Sequence, residues 1–277
     1  YDRAVDELKR VIALDPDFPG AYHQLLDHYQ YNTGEFSRSL EYAIRFTELD
    51  PENPDGWRHQ AEAFVNVGDY ESARAIQQKI AELNPDNFFA GWIDFRIATR
   101  TGNEAAFREA VNWILPRTQD LRWLKGLIAD GHIKIGDLQG AMDWYLRANP
   151  GWADPAAWNR LVRLWPSDAC NVAWLFLNSG DETRGAGLLE QALEMHEVRL
   201  PAVTEHADRF DTEVCYLANG DTEKALDSLQ TQLDHGHILG WEGWMRSPIY
   251  DPIRHEPRFL EIQEQYDRKI AVQREAV

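Results

Sequence analysis

The apolar positions of this chain recur with the period of a helix rather than of a strand. Between Pro54 and Asn87, Trp57, Ala61 and Phe64 fall at i, i+4 and i+7, one face of a helix. After Gly68 a second stripe follows through Tyr70, Ala73, Gln77 and Ile80, and it stops before Pro85. Gly68 stands where a helix C-terminus calls for a left-handed residue. The small Ala61 and Ala73 let two helix axes approach closely. The pattern predicts a helix–turn–helix unit. Tyr22, Leu26 and Tyr29, followed by Ser39, Ala43 and Phe46, predict the same unit one step earlier. Ala4, Leu8 and Val11 predict that the chain opens inside a second helix, as a piece of something longer would.

The unit repeats. Gly34, Gly68, Gly102 and Gly136 stand 34 residues apart, and Pro16, Pro51 and Pro85 close successive apolar stretches. A period of this size marked by glycine and proline is a stacked array of helix pairs. Trp92, Phe95, Gly102, Phe107 and Ile114 keep the spacing loosely; Ala129, Gly136, Ala141, Tyr145 and Ala148 keep it more closely. Gly180 and Gly220 come after longer intervals, 44 and 40 residues. The added length predicts a short extra helix around residues 155–164 and an irregular stretch near 200–207. Trp241 and Trp244 then precede a proline-punctuated loop. Phe259, Ile262, Tyr266 and Ile270 predict a final amphipathic helix that caps the array. The expected organisation is a regular array over 1–150, irregular pairs over 151–234, and a Trp/Pro-rich loop with a capping helix over 235–277.

The spacing Trp57-x3-Ala61-x2-Phe64-x3-Gly68-x-Tyr70-x2-Ala73-x11-Pro85 resembles the tetratricopeptide repeat (TPR), closely to Asn87 and recognisably to Pro150. The resemblance implies an all-α fold, a right-handed solenoid of about fourteen to sixteen helices in antiparallel pairs. It also implies protein–protein interaction, with extended or helical peptides bound in a concave groove lined by the first helices. A narrower resemblance rests on Trp244-Met-Arg-Ser-Pro248, Asp251-Pro252-Ile-Arg254 and Pro257-Arg-Phe259. This segment is similar to the TPR tail of bacterial signalling proteins that carry a cyclase-type or winged-helix output domain. It implies that the chain is the docking or sensory part of such a protein.

Counted from Tyr22 and Trp57, the groove positions come one, five and eight residues later. The candidate partner-binding residues are therefore His23, Asp27, Gln30, Arg58, Glu62, Trp92 and Arg96, with Val65 and Thr99 in the same register. One subclass of TPR domains grips a C-terminal carboxylate with Lys and Asn at these sites. Here Asp27 and Glu62 would repel it, which argues against the acidic tails of heat-shock chaperones. Strict counting points Trp92 at the groove, whereas a slip of one residue would bury it. Trp241 and Trp244 are expected to plug the end of the array, the alternative being an exposed contact patch.

Charge narrows the partner. A net charge of −18 argues against nucleic acid, whose phosphates need a basic stripe, and favours a protein or peptide with basic residues between apolar ones. The longest purely apolar run, residues 172–177, is far short of a membrane span, so no membrane insertion is expected; the compartment stays open, with a leaning to the cytoplasm. Neither a glycine-rich nucleotide cradle nor H-E-x-x-H is present. His235-Gly-His237 beside Asp234, and a looser set of Glu194, His196, Glu197, Glu205 and His206, leave a metal-dependent hydrolase near 194–237 as a remote alternative. Polar turns explain both sets, and the expectation is no enzyme, no metal and no cofactor. A structural self-association scaffold is the other alternative. Cys170 and Cys215 fall on neighbouring helices, whose axes lie about 8–10 Å apart, while a disulfide needs Cα atoms within about 7 Å. They also stand at different heights relative to Gly180 and Gly220, so two separate buried thiols are expected.

Overall fold

A computed structural model describes residues 2–118, 121–200 and 212–277. Among the described residues there is no strand, and sixteen α-helices follow one another. They are α1 (Asp2–Leu14), α2 (Pro19–Asp27), α3 (Phe36–Leu49), α4 (Pro54–Val67), α5 (Tyr70–Leu83), α6 (Phe88–Thr101), α7 (Glu104–Ile114) and α8 (Arg122–Lys134). Then come α9 (Leu138–Ala148), α10 (Trp158–Leu164), α11 (Pro166–Asn178), α12 (Glu182–Glu194), α13 (Thr212–Ala218), α14 (Thr222–His235), α15 (Trp241–Trp244) and α16 (Pro257–Glu275). The fold is all-α and TPR-like, built of consecutive helix pairs. The short α10 supplies the extra helix that the long interval before Gly180 predicts. The stretch expected to be irregular near 200–207 lies, but for Leu200, outside the described residues.

The chain forms two compact units. One comprises residues 1–119, 236–241 and 264–277; the other comprises 120–235 and 242–263. In the first unit α2 packs with α3, α4 with α5 and α6 with α7, and α4 also lies against α6. In the second, α8 packs with α9, α11 with α12 and α13 with α14, and α11 also lies against α13.

The α4/α5 pair shows how sequence produces the unit. Asn53 caps α4 by accepting from the backbone N–H of Asp55, and Pro54 takes the first helical position, where no donor is lost. Gly68 ends the helix at φ +80°, and Asp69 starts α5 by accepting from the Ser72 N–H. Ala61 and Ala73 are both fully buried between the two helices. Two of the pairs are also tied to the turn before them. Tyr22 Oη donates to the Pro16 carbonyl, and Trp57 Nε1 to that of Pro51, each at 2.9 Å across six residues. Trp158 Nε1 repeats the contact with Trp152 in the second unit, again at 2.9 Å.

The last helix forms as expected, with Phe259, Ile262, Tyr266 and Ile270 all buried. Its final turns do more than cover a terminal pair. In the first unit Gln273 Nε2 donates to the Gly34 carbonyl at 2.9 Å, Arg274 Nε donates to the Val67 carbonyl at 2.5 Å, and Arg100 Nη2 reaches the Tyr266 hydroxyl at 3.4 Å. Helix ends leave carbonyls without an intrahelical partner, and this segment supplies donors to two successive ones. Residues 236–241 join the same unit. A Cβ on Gly34 would lie 2.4 Å from the Gly236 carbonyl oxygen, and one on Gly236 would lie 2.0 Å from that of Thr33. Trp241 is buried against Tyr266, with ring centroids 5.8 Å apart, so it belongs to the core. Trp244 is half-buried, with Lys134 Nζ 4.2 Å from its ring centroid.

The expectation of two separate thiols is overturned. Cys170 of α11 and Cys215 of α13 are disulfide-bonded, with Cα atoms 4.8 Å apart. Neighbouring first helices pass closer at this point than a generic helix pair, because the flanking Ala169 and Ala173 are small and fully buried. Counting heights from Gly180 and Gly220 failed because the interval between those glycines is 40 residues instead of 34, so the two helices need not stand in the same register to their glycines.

Candidate functional site

The helices α2, α4 and α6 are the first helices of the three pairs in the first unit. Together with the π-helical turn His28–Asn32 that extends α2 and carries Gln30, they bring His23, Asp27, Gln30, Arg58, Glu62, Trp92 and Arg96 into one bonded row. Glu62 is its centre. The carboxylate is fully buried, yet accepts from Tyr31 Oη at 2.9 Å, Arg58 Nη1 at 2.9 Å, Gln30 Nε2 and Trp92 Nε1. Arg96 Nη1 stands 3.9 Å away. Burial works against the charge, but Arg58, Arg96 and the donors outweigh it and hold the carboxyl at about 2. Burial, reinforced by Glu62, pushes the Tyr31 hydroxyl up, so it stays a donor. Burial pulls Arg96 down, against the pull of Glu62.

A second cluster adjoins the first. His23 Nε2 lies 2.7 Å from Asp55 Oδ2, and His23 Nδ1 lies 3.7 Å from Asp27 Oδ2. His59, fully buried on α4, has Nε2 3.3 Å from Asp27 Oδ1 and 3.6 Å from Asp55 Oδ2. Arg58 Nε bonds Asp55 Oδ1 at 2.7 Å, and its Nη2 meets His59 Nε2. The hydrogen bond to Asp55 raises His23 above its usual range, with burial opposing and Asp27 assisting. Burial acts against the Asp55 charge too, but the two histidines and Arg58 hold it far below the carboxylate range.

The row is graded in access. The side chains of Asp27 and His23 are 36% and 29% exposed, those of Arg58 and Arg96 14% each, and that of Glu62 1%. Gln30 and Trp92 are buried, as are Val65 and Thr99. Trp92 is therefore a core residue that turns its N–H toward Glu62 while its ring stacks on Phe95 at 5.2 Å. The register counted from Tyr22 and Trp57 omits Tyr31, Asp55 and His59. Two of these were within reach of the sequence: His23-x3-Asp27 and Asp55-x3-His59 both have the spacing that puts two side chains on one helix face.

The other candidate residues are scattered. Glu194 pairs with Arg199 at 2.7 Å and Glu197 with Lys224 at 2.8 Å, both near the surface. His196 is buried beside the disulfide: Nδ1 lies 2.8 Å from Thr212 Oγ1, and Nε2 lies 3.3 Å from both the Pro166 carbonyl and Cys170 Sγ. Burial lowers it to about 4, so it is neutral. Glu205 and His206 lie outside the described residues. His235 ends α14 and His237 follows it. On another side of the first unit, α5, α6 and α7 enclose a groove of about 410 Å³ between Gln77, Asp94, Ala98, Ala106 and Trp113.

In the second unit the first helices α8 and α11 carry a polar cluster of their own. Asp130 accepts from Tyr145 Oη and from Asn171 Nδ2, the latter at 3.3 Å, while Asp168 pairs with Arg122 Nη2 at 3.2 Å. Burial raises both carboxyls, and Asp130 helps push Asp168 up to about 7.

Residues 28–88, which span α3, α4 and α5, match the tetratricopeptide repeat family. No curated protein is significantly similar to the chain.

Proposed function

We propose that the first-helix face of the first unit docks a protein or peptide carrying basic and apolar residues, a reading supported by the match of residues 28–88 to the tetratricopeptide repeat, a repeat that generally mediates protein–protein interactions. The observation that carries this reading is the bonded row from His23 to Arg96. Three consecutive pairs hold polar side chains in register, with Asp27 and His23 open to solvent at one edge. Asp27, His23, Arg58 and Arg96 are the residues a partner touches. Gln30, Glu62 and Trp92 position them. The overall charge of −18 steers a basic segment toward the molecule and makes the encounter salt-dependent. Nucleic acid is not a partner on this reading, and the protein is not an enzyme. No helix among the described residues is long and apolar enough to cross a membrane.

The chain is, on the same reading, the docking or sensory part of a larger bacterial signalling protein, which the likeness of its 244–259 segment to TPR tails supports. The sequence of the full gene product tests that point. The Cys170–Cys215 bridge favours a compartment where disulfides persist over the cytoplasm, toward which the sequence leans.

Binding is tested by fluorescence anisotropy of labelled peptides in which Lys or Arg alternates with Leu, at low and high salt. Asp27→Lys should weaken binding at least tenfold at low salt and much less at high salt. The exposed pair Glu71→Lys with Glu82→Lys on α5 should leave it nearly intact. Equal losses in both variants would assign the attraction to overall charge and overturn the docking face.

A further inference from the structure

We propose that His23, Asp27 and His59 form a binding site for one divalent transition-metal ion, with zinc as the type ion. Hydrogen-bond polarity defines this site independently of peptide docking. Glu62 is a carboxylate, so the Gln30 group that bonds it is the amide NH2. The Gln30 carbonyl oxygen therefore faces His59 Nδ1, at 3.4 Å, and also receives the Ser39 hydroxyl at 3.3 Å. His59 Nδ1 therefore donates to that oxygen, and Nε2, which meets the donor-only Arg58 Nη2, keeps its lone pair. That lone pair is aimed between two carboxylates, Asp27 at 3.3 Å and Asp55 at 3.6 Å. The positive charge that an electron pair beside two anions calls for is now supplied by Arg58 Nη2, and a bound metal ion would take its place.

His23 has the matching arrangement. Its Nε2–H donates to Asp55 at 2.7 Å, which turns the lone pair of Nδ1 toward the second oxygen of Asp27, 3.7 Å away. Two imidazole lone pairs and one carboxylate thus converge from α2 and α4, their ligand atoms all within 4.8 Å of one another. An ion bound at about 2.0–2.1 Å by a tetrahedral donor set has neighbouring donors about 3.3 Å apart. The nitrogen–carboxylate separations, 3.3 Å from His59 to one Asp27 oxygen and 3.7 Å from His23 to the other, are close to that spacing.

The surrounding groups also fit. A ligating histidine generally donates its other N–H to a carboxylate or carbonyl, which fixes the ring. Asp55 does this for His23, and Gln30 for His59. Arg58 Nη2, now against His59 Nε2, is the charge that the ion displaces; Arg58 retains Asp55 and Glu62 as partners. His59 is buried, but His23 and Asp27 are partly exposed, so an ion has an entry path and a coordination position on the solvent side.

Untagged, chelator-treated protein is titrated with zinc chloride alone by calorimetry. One zinc per chain should bind, with an affinity at least tenfold lower in Asp27→Asn and in His23→Gln. Both positions are at the partly exposed edge of α2, and far-ultraviolet circular dichroism confirms that each variant is folded. Cobalt substitution should give visible bands of a nitrogen–oxygen donor set without thiolate charge transfer. Cys170→Ala with Cys215→Ala should bind as the wild type does, which separates this site from the buried Cys170–His196–Cys215 group. Failure to take up stoichiometric zinc, or uptake indifferent to both α2 substitutions in folded protein, overturns the proposal.

Discussion

Gln273 and Gly34, 239 residues apart in the chain, are joined by a hydrogen bond of 2.9 Å from the side-chain amide to the glycine carbonyl. The same amide group, through its oxygen, accepts from the Ser37 backbone N–H at 3.3 Å. One C-terminal side chain thus closes the turn between α2 and α3. Gln273→Ala leaves the buried Gly34 carbonyl without this donor and should cost about 1–3 kcal/mol. Removing residues 264–277 should cost far more, since Tyr266 and Ile270 leave the core with them. Urea denaturation followed by circular dichroism checks both.

The two glycines at this turn offer a sharper comparison. Gly34→Ala puts a methyl 2.4 Å from the Gly236 carbonyl oxygen, whereas a Cβ at Gly102 meets nothing within 4 Å. Both residues have positive φ, so both substitutions carry the left-handed penalty of about 1–2 kcal/mol. Only Gly34→Ala should add backbone displacement. Its unfolding midpoint should fall clearly below that of Gly102→Ala, and equal midpoints would refute the close approach.

Glu62 is a case where removing one partner is worse than losing the interaction as a whole. Glu62→Ala leaves the largely buried Arg58 and Arg96 without their shared carboxylate and should destabilise the first unit by about 3–5 kcal/mol. Glu62→Gln keeps the shape and an acceptor oxygen and should cost less. Hydrogen exchange of the α4 and α6 amides locates the effect. Uniform loss of protection across α8–α14 instead would show that the network does not act locally.

Much of this was legible in the sequence. The 34-residue glycine ladder gives the pairs directly, because a left-handed C-cap is a local demand that only a few residues meet. The row was legible as a register: His23, Asp27, Gln30, Arg58, Glu62, Trp92 and Arg96 do share one neighbourhood. What periodicity could not tell is which of them face solvent. Glu62 looks like any groove carboxylate until Trp92 and Arg96 close over it, and that closure depends on how far α4 and α6 approach. Gln273 and Arg274 are ordinary polar residues of an amphipathic helix, and nothing local announces that they pair with the carbonyls of Gly34 and Val67. The Cys170–Cys215 bridge was missed for a similar reason, since helix spacing at one contact is set by neighbours such as Ala169 and Ala173.

That bridge should contribute about 2–4 kcal/mol to the second unit by restricting the unfolded chain. Dithiothreitol should lower the thermal midpoint of the wild type and leave that of Cys170→Ala with Cys215→Ala unchanged. Mass spectrometry after alkylation without reductant should find neither thiol labelled.

The second unit should also lose stability as pH rises, through Asp168. This residue opens α11, where a helix N-terminus favours a negative charge, and Arg122 sits 3.2 Å away. Burial and the neighbouring Asp130 nevertheless raise the carboxyl to about 7, against 3.8 in the unfolded chain. The folded state then holds a proton that the unfolded state has released, so unfolding free energy declines as pH climbs from about 4 to 7 and levels off above. His196 slopes the other way, because burial lowers it to about 4 and its contribution is lost as pH falls through 6.5. The wild-type curve alone therefore mixes two opposing trends, and the informative quantity is its difference from Asp168→Asn. Asparagine cannot ionise but still accepts from Arg122. Between pH 4 and pH 7.5 the wild type should lose about 1–3 kcal/mol relative to Asp168→Asn, since water reaches part of the site and limits the penalty. A difference that stays flat with pH would place the Asp168 carboxyl back in its ordinary range and make Arg122, rather than burial beside Asp130, the dominant influence on it.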